Sequence, residues 1–134
     1  MPNSLKILIV DDDIEILTAL SDYFCCKNHS VTTASNGLKG LKLLEAEKSG
    51  FDIMITDLVM PDISGVGLIS ISKKQYPNMI IIGITGWGEH PEALASEANA
   101  NCVLRKPIEL EKLEKIMMKL LSEKRSTKKL HSTT

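Results

Sequence analysis

Three consecutive carboxylates, Asp11, Asp12 and Asp13, follow the apolar run LKILIV, and a further one, Asp57, follows FDIMIT. Thr85 closes the run MIIIGIT, and Lys106 stands just beyond the short run at Cys102–Leu104. Ligands of open parallel sheets bind outside the carboxyl ends of the strands. If the runs are parallel strands, these distant positions therefore converge on one rim. Crowded carboxylates repel one another and do not all stay ionised without a cation. All-oxygen donors suit Mg²⁺, which keeps several waters and takes few carboxylates plus a phosphate oxygen. A lysine beside them pairs with an anion as a compact point charge, and a threonine hydroxyl donates to a phosphoryl oxygen. The set describes phosphoryl transfer with one Asp as nucleophile.

Each residue alone has a plainer reading. An Asp after a strand is often only a helix N-cap, and Asp13 is expected in that part. Thr85 by itself could be a turn residue, and Lys106 before Pro107 surface punctuation. Asp57 opens a stretch, DLVMPDISG, whose Asp, Pro and Gly all favour turns. The signal lies in the ordered set at successive strand ends.

Five short apolar runs must position these groups: Leu5–Val10, Ser30–Ala34, Phe51–Thr56, Met79–Thr85 and Cys102–Leu104. The first, third and fourth are nearly continuous in apolar residues, which predicts strands buried on both faces. Helical spacing lies between them. Ile16, Leu17, Leu20, Tyr23 and Phe24 form one apolar face, and Leu38, Leu41 and Leu44 a second. Val66, Ile69 and Lys73 fit a third helix that Pro77 stops. A short Ala-rich fourth is expected from about Pro91 to Ala98. Leu110, Leu113, Met117 and Leu120 line the last. Five βα units predict a parallel sheet with helices on both faces. After Leu121 the chain is basic and hydroxyl-rich without apolar period. The expected division is a domain over residues 1–122 and a flexible tail or linker start over 123–134.

The 134 residues suit one domain, and 43% hydrophobic with 25% charged residues allow a core in a soluble chain. Few of the apolar residues are aromatic, so the core is expected to be aliphatic. A net charge of −1 gives no reason to expect nucleic acid or an anionic membrane as partner. The longest apolar runs fall far short of the roughly 20 residues of a membrane span, and the first residues lack a signal-peptide pattern. A cytoplasmic location is the expectation. Cys25, Cys26 and Cys102 form neither a disulfide framework nor a spaced zinc set; buried free thiols are expected. His29, His90 and His131 stand far apart and are expected at the surface or in loops.

The stretches ILIVDDD, ITDLVMPDISG, GITGWG and LRKPI, in that order, resemble the receiver domain of two-component response regulators. The resemblance runs from about Leu5 to Leu121. It implies a flavodoxin-like (βα)5 fold of strand order 2-1-3-4-5. It casts Asp57 as the phosphoacceptor and Asp12 as a direct Mg²⁺ ligand, with Asp57 itself in the metal shell. Asp11 joins the acidic pocket through water, and the Val59 carbonyl completes the protein's share of the shell. Lys106 contacts the phosphoryl group, Thr85 turns inward to bind it, and the Lys106–Pro107 peptide is expected to be cis. The implied partner is a sensor histidine kinase or histidine phosphotransfer protein. The resemblance also admits a phosphatase partner, and a homodimer through the fourth helix, fifth strand and fifth helix. Such a domain catalyses only its own phosphorylation and dephosphorylation. One departure stands out: Val103 occupies a position where receivers commonly carry an aromatic residue that swings inward with the threonine. Val59 and Trp87 fall where receivers flank the path of the hydrolytic water, and their apolar bulk implies a long-lived phospho-Asp57.

Other classes fit less well. A haloacid-dehalogenase-type phosphatase needs an Asp-x-Asp pair with the nucleophile first. Asp11 and Asp13 have that spacing, but the chain has no room for a cap domain. A flavin-binding flavodoxin wants Gly and hydroxyl residues after the first strand, where DDDIE supplies charge that repels phosphate. No Walker or Gly-x-Gly-x-x-Gly motif is present. A degenerate receiver serving only as a docking surface is at odds with the complete acid, Thr and Lys set.

Overall fold

A computed structural model describes residues 4–60, 63–86 and 99–132, with side chains as far as Lys124. The expected fourth helix and Trp87 lie outside the described residues. Five strands form one parallel sheet: β1 Lys6–Val10, β2 Ser30–Ala34, β3 Ile53–Asp57, β4 Ile80–Thr85 and β5 Cys102–Arg105. Their order is β2-β1-β3-β4-β5, so the flavodoxin-like arrangement expected from the sequence is found. β3 starts two residues later than the apolar run and ends on Asp57, which is the last strand residue and not the first beyond it. β4 likewise starts one residue later than its run, and β5 continues to Arg105.

Helices α1 (Ile14–Cys26), α2 (Gly37–Ala46), α3 (Gly65–Gln75) and a C-terminal helix (Leu110–Ser132) follow the strands. The first three start on side-chain caps, which satisfy backbone N–H groups left open in the first turn. Asp13 accepts from Glu15 N (3.0 Å), Asn36 from Lys39 N (2.8 Å) and Ser64 from Gly67 N (3.1 Å). Asp13 is thus the cap expected of it. α3 ends at Gln75, two residues before Pro77.

Successive strand residues point to opposite faces, and the core divides accordingly. Ile7, Ile9, Ile53 and Ile55 face Leu17, Leu20 and Phe24 of α1 and Leu113 and Met117 of the C-terminal helix. Leu8, Val10 and Met54 face Leu44 of α2 and Leu68 and Ile69 of α3. The sequence reading needs three corrections here. α2 packs Leu41 and Leu44 on the core as expected, but Leu38 is 46% exposed, because Gly37 and Gly40 take the inner positions of the first turns and bring the helix close. Cys25 and Cys26 are exposed and Cys102 is half-buried, since the inner face of α1 is already filled by Leu17, Leu20 and Phe24. The helical backbone also continues to Ser132 instead of giving way to a flexible tail after residue 122. Glu, Lys and Arg are good helix formers, and no Gly or Pro breaks the run. Among the described residues, no helix is long and apolar enough to cross a membrane.

Candidate functional site

Parallel register brings the chemistry-bearing residues together. Val10 pairs with Thr56, so Asp11 and Asp57, the next residues, emerge side by side. Asp57 pairs with Ile84, Thr85 pairs with Arg105, and Lys106 N donates to the Thr85 carbonyl (2.9 Å). This is the carboxyl rim at the β1/β3 position, where the winding direction reverses and such sheets bind ligands.

Asp11 is fully buried and Asp57 is 5% exposed. Lys106 Nζ lies 3.1 Å from Asp57 Oδ2, a hydrogen-bonded ion pair, and 3.5 Å from Asp11 Oδ2. The longer contact is an ion pair without a hydrogen bond, so the buried Asp11 Oδ2 has no donor. Its other oxygen accepts from Asp13 N (2.8 Å). Asp57 Oδ1 accepts from Val59 N (3.2 Å), and Thr56 Oγ1 donates to the Asp57 carbonyl (3.0 Å). Thr85 is fully buried. Lys106–Pro107 is cis, as expected. Val103 is half-buried against the core layer under α2 and α3 and stands opposite Gly83.

Burial pushes the Asp11 carboxyl up to about 6; the Asp13 N–H works against the rise, the Asp57 charge adds to it and Lys106 opposes it. For Lys106, burial works against the charge, but the hydrogen bond to Asp57 and the two carboxylate charges prevail and raise it above an ordinary lysine.

Carboxylate oxygens of Asp11, Asp12 and Asp57 all lie within 4.8 Å of one another. Two of these side chains are buried and Asp12 is exposed. A buried carboxylate oxygen without a donor, in an all-oxygen cluster open on one side, fits a hard cation such as Mg²⁺. The sequence thus led to Asp11, Asp12, Asp57, Thr85 and Lys106, which the fold gathers at one rim. It missed the Val59 N–H that orients Asp57, because a main-chain donor leaves no mark in residue type. It also read Gly65 only as a turn residue. A Cβ at Gly65 would fall 1.7 Å from the Asp57 carbonyl oxygen, so the glycine is there for close approach.

Fold and rim together define a doubly wound α/β domain with an acidic, lysine-paired pocket. The response regulator receiver domain family matches residues 7–118. The transcriptional regulatory protein GlrR of Escherichia coli is 34% identical over 80% of the chain, which spans only 24% of that protein. A response regulator receiver domain protein from Clostridium thermocellum is 31% identical, with a TM-score of 0.83 over 92% of this chain and 98% of that one. A CheY-like receiver domain protein from Methanospirillum hungatei gives 27% identity and a TM-score of 0.85 over 93% and 99% of the two chains. The chain belongs to the response regulator receiver domain family of two-component systems. Members of this family receive their signals from histidine kinases and generally bind Mg²⁺ in an acidic pocket. The match favours this reading over the aspartyl-phosphate phosphatase.

Proposed function

We propose that Asp57 takes a phosphoryl group from a phosphohistidine on a sensor kinase or phosphotransfer protein. The observation that carries this is a buried carboxylate held at both oxygens, by Val59 N and by Lys106 Nζ, beside a second buried carboxylate with one oxygen that accepts no hydrogen bond. An Asp57 oxygen attacks phosphorus as the phosphorus–nitrogen bond breaks, and the imidazole leaves with the electron pair. Lys106 exchanges carboxylate contact for a phosphoryl oxygen, and Thr85 offers its hydroxyl to another. Asp12, Asp57 and the Val59 carbonyl would hold Mg²⁺, with Asp11 beside them in the acidic pocket, and the bound ion would neutralise carboxylate and phosphoryl charge. The chain acts on itself and does not turn over a free substrate. Residues 1–122 are the working domain, in the cytoplasm, and a phosphatase and a second copy of the chain are further partners. The chain spans 24% of the length of GlrR, which supports a place within or beside a longer regulator.

Incubation with acetyl phosphate and Mg²⁺, followed by intact mass, is the test. One phosphate's mass is expected on the parent chain and none on Asp57→Asn. Asp12→Ala should lose labelling at ordinary Mg²⁺, and Asp11→Ala should lose less. Undiminished labelling of Asp57→Asn, or of the parent in EDTA, would sink the assignment.

A further inference from the structure

The segment between β3 and α3 carries Val59, and three elements, β4, α3 and α2, hold it in place. Leu58 N donates to the Ile84 carbonyl (2.9 Å), and Gly65 N returns to the Leu58 carbonyl (3.1 Å). The start of α3 lies against the Asp57 main chain, where only a glycine at 65 fits. The third contact comes from another helix. A Cβ on Gly37, the first residue of α2, would fall 2.3 Å from the Ile63 carbonyl oxygen and 2.9 Å from its Cβ. The obstacle is mainly backbone, which cannot turn away as a flexible side chain would. Nor can α2 easily withdraw. Its cap Asn36 holds Lys39 N, and a Cβ at Gly40 would lie only 3.0 Å from Val10 Cγ2, so the helix sits tight on β1.

We propose that Gly37 is a positioning residue for the phosphoacceptor site. By letting α2 seat the Ile63 main chain, it sets the entry into α3, where Gly65 N–H holds the Leu58 carbonyl and so the peptide whose Val59 N–H orients Asp57. What the loop serves rests on the function proposed above; the seating does not. An added methyl group must push the two backbones apart by about 1 Å, and displacements of that size cost on the order of 100-fold in reactions that depend on positioning.

The test uses the full chain with Gly37→Ala, and Gly67→Ala as comparison. At Gly67 an added Cβ meets Ser64 Oγ at 3.5 Å, an ordinary contact. In NMR spectra, Gly37→Ala should shift the amides of Val59 and Gly65 and speed their hydrogen exchange at least tenfold, leaving Ile80–Thr85 unchanged. Gly67→Ala should leave the Val59 amide as it is. With acetyl phosphate as donor, Gly37→Ala should raise the Mg²⁺ concentration for half-maximal labelling at least tenfold. If Gly37→Ala does not fold, Ile63→Ala removes the side chain that packs the same residue onto the core, loosens its seat by another route and should quicken the same amides. Changes confined to α2 and β2, or shifted loop amides with parent-like Mg²⁺ dependence, overturn the proposal. If the parent takes no phosphate, the functional reading fails, while the amide measurements still decide the seating.

Discussion

At the scale of single residues, the site is a set of charges that the fold holds under tension. Asp11 is fully buried, with one oxygen satisfied by Asp13 N and the other 3.5 Å from Lys106 Nζ. Its carboxyl rises from 3.8 to about 6, so the folded chain binds this proton more tightly than the unfolded one. The contribution of this group to stability is then fully present below about pH 4 and is lost as pH rises through about 6. Two pKa units correspond to about 3 kcal/mol. An amide beside Lys106 recovers only part of that, so Asp11→Asn should stabilise the metal-free domain by about 1–2 kcal/mol at pH 7.5. The gain should vanish below pH 4. Urea unfolding at both pH values checks this, and equal effects at the two would contradict it. Mg²⁺ should raise the parent's melting temperature more than the variant's.

At the scale of elements, four neighbouring strands in parallel register deliver the groups: Asp11 and Asp12 after β1, Asp57 on β3, Thr85 on β4 and Lys106 after β5. Thr85 ends β4 beside Lys106, and β4 is buried throughout. A ligand shifts a conformational equilibrium only through contacts that differ between the two states. A phosphoryl group on Asp57 would gain such a contact from Thr85. Thr85→Ala should therefore accept phosphate at a near-parent level, yet fail to change amide hydrogen exchange over Cys102–Leu121. A full exchange response in that variant would place the switch elsewhere. Val103 cannot contribute an aromatic swing. It already packs against the layer beneath α2 and α3.

At the scale of the whole molecule, two apolar layers sandwich the sheet, and the C-terminal helix closes one of them through Leu113, Met117 and Leu121. Beyond that, Lys124 Nζ reaches the Asn78 carbonyl, and the remaining sequence is polar but for Leu130. A chain cut after Lys124 should melt within about 2 °C of the parent, because little apolar area is lost. A cut before Leu113 removes three buried side chains, each worth roughly 1.5–3 kcal/mol, and should prevent cooperative folding. Thermal denaturation followed by circular dichroism separates the two. A large drop for the longer chain would show that residues 125–134 pack on the domain.

The sequence by itself determined the strands, the Asp13 cap and the rim. Continuous apolar runs require burial on both faces, Asp13 is a cap by its chemistry, and Asp11, Asp57, Thr85 and Lys106 each stand at a strand's end. Ile53 and not Phe51 begins β3, because pairing with β1 and β4 decides where a ladder starts, and apolar character alone does not. Tertiary contact also decided that Leu38 faces outward and that Cys25 and Cys26 are exposed, since which stripe a helix buries depends on what it packs against. The roles of Gly37 and Gly65 emerge only in space, where each lacks a Cβ that would strike a distant backbone. The orientation of Asp57 by Val59 N belongs to the same class: it is made by main-chain geometry, which residue types do not encode.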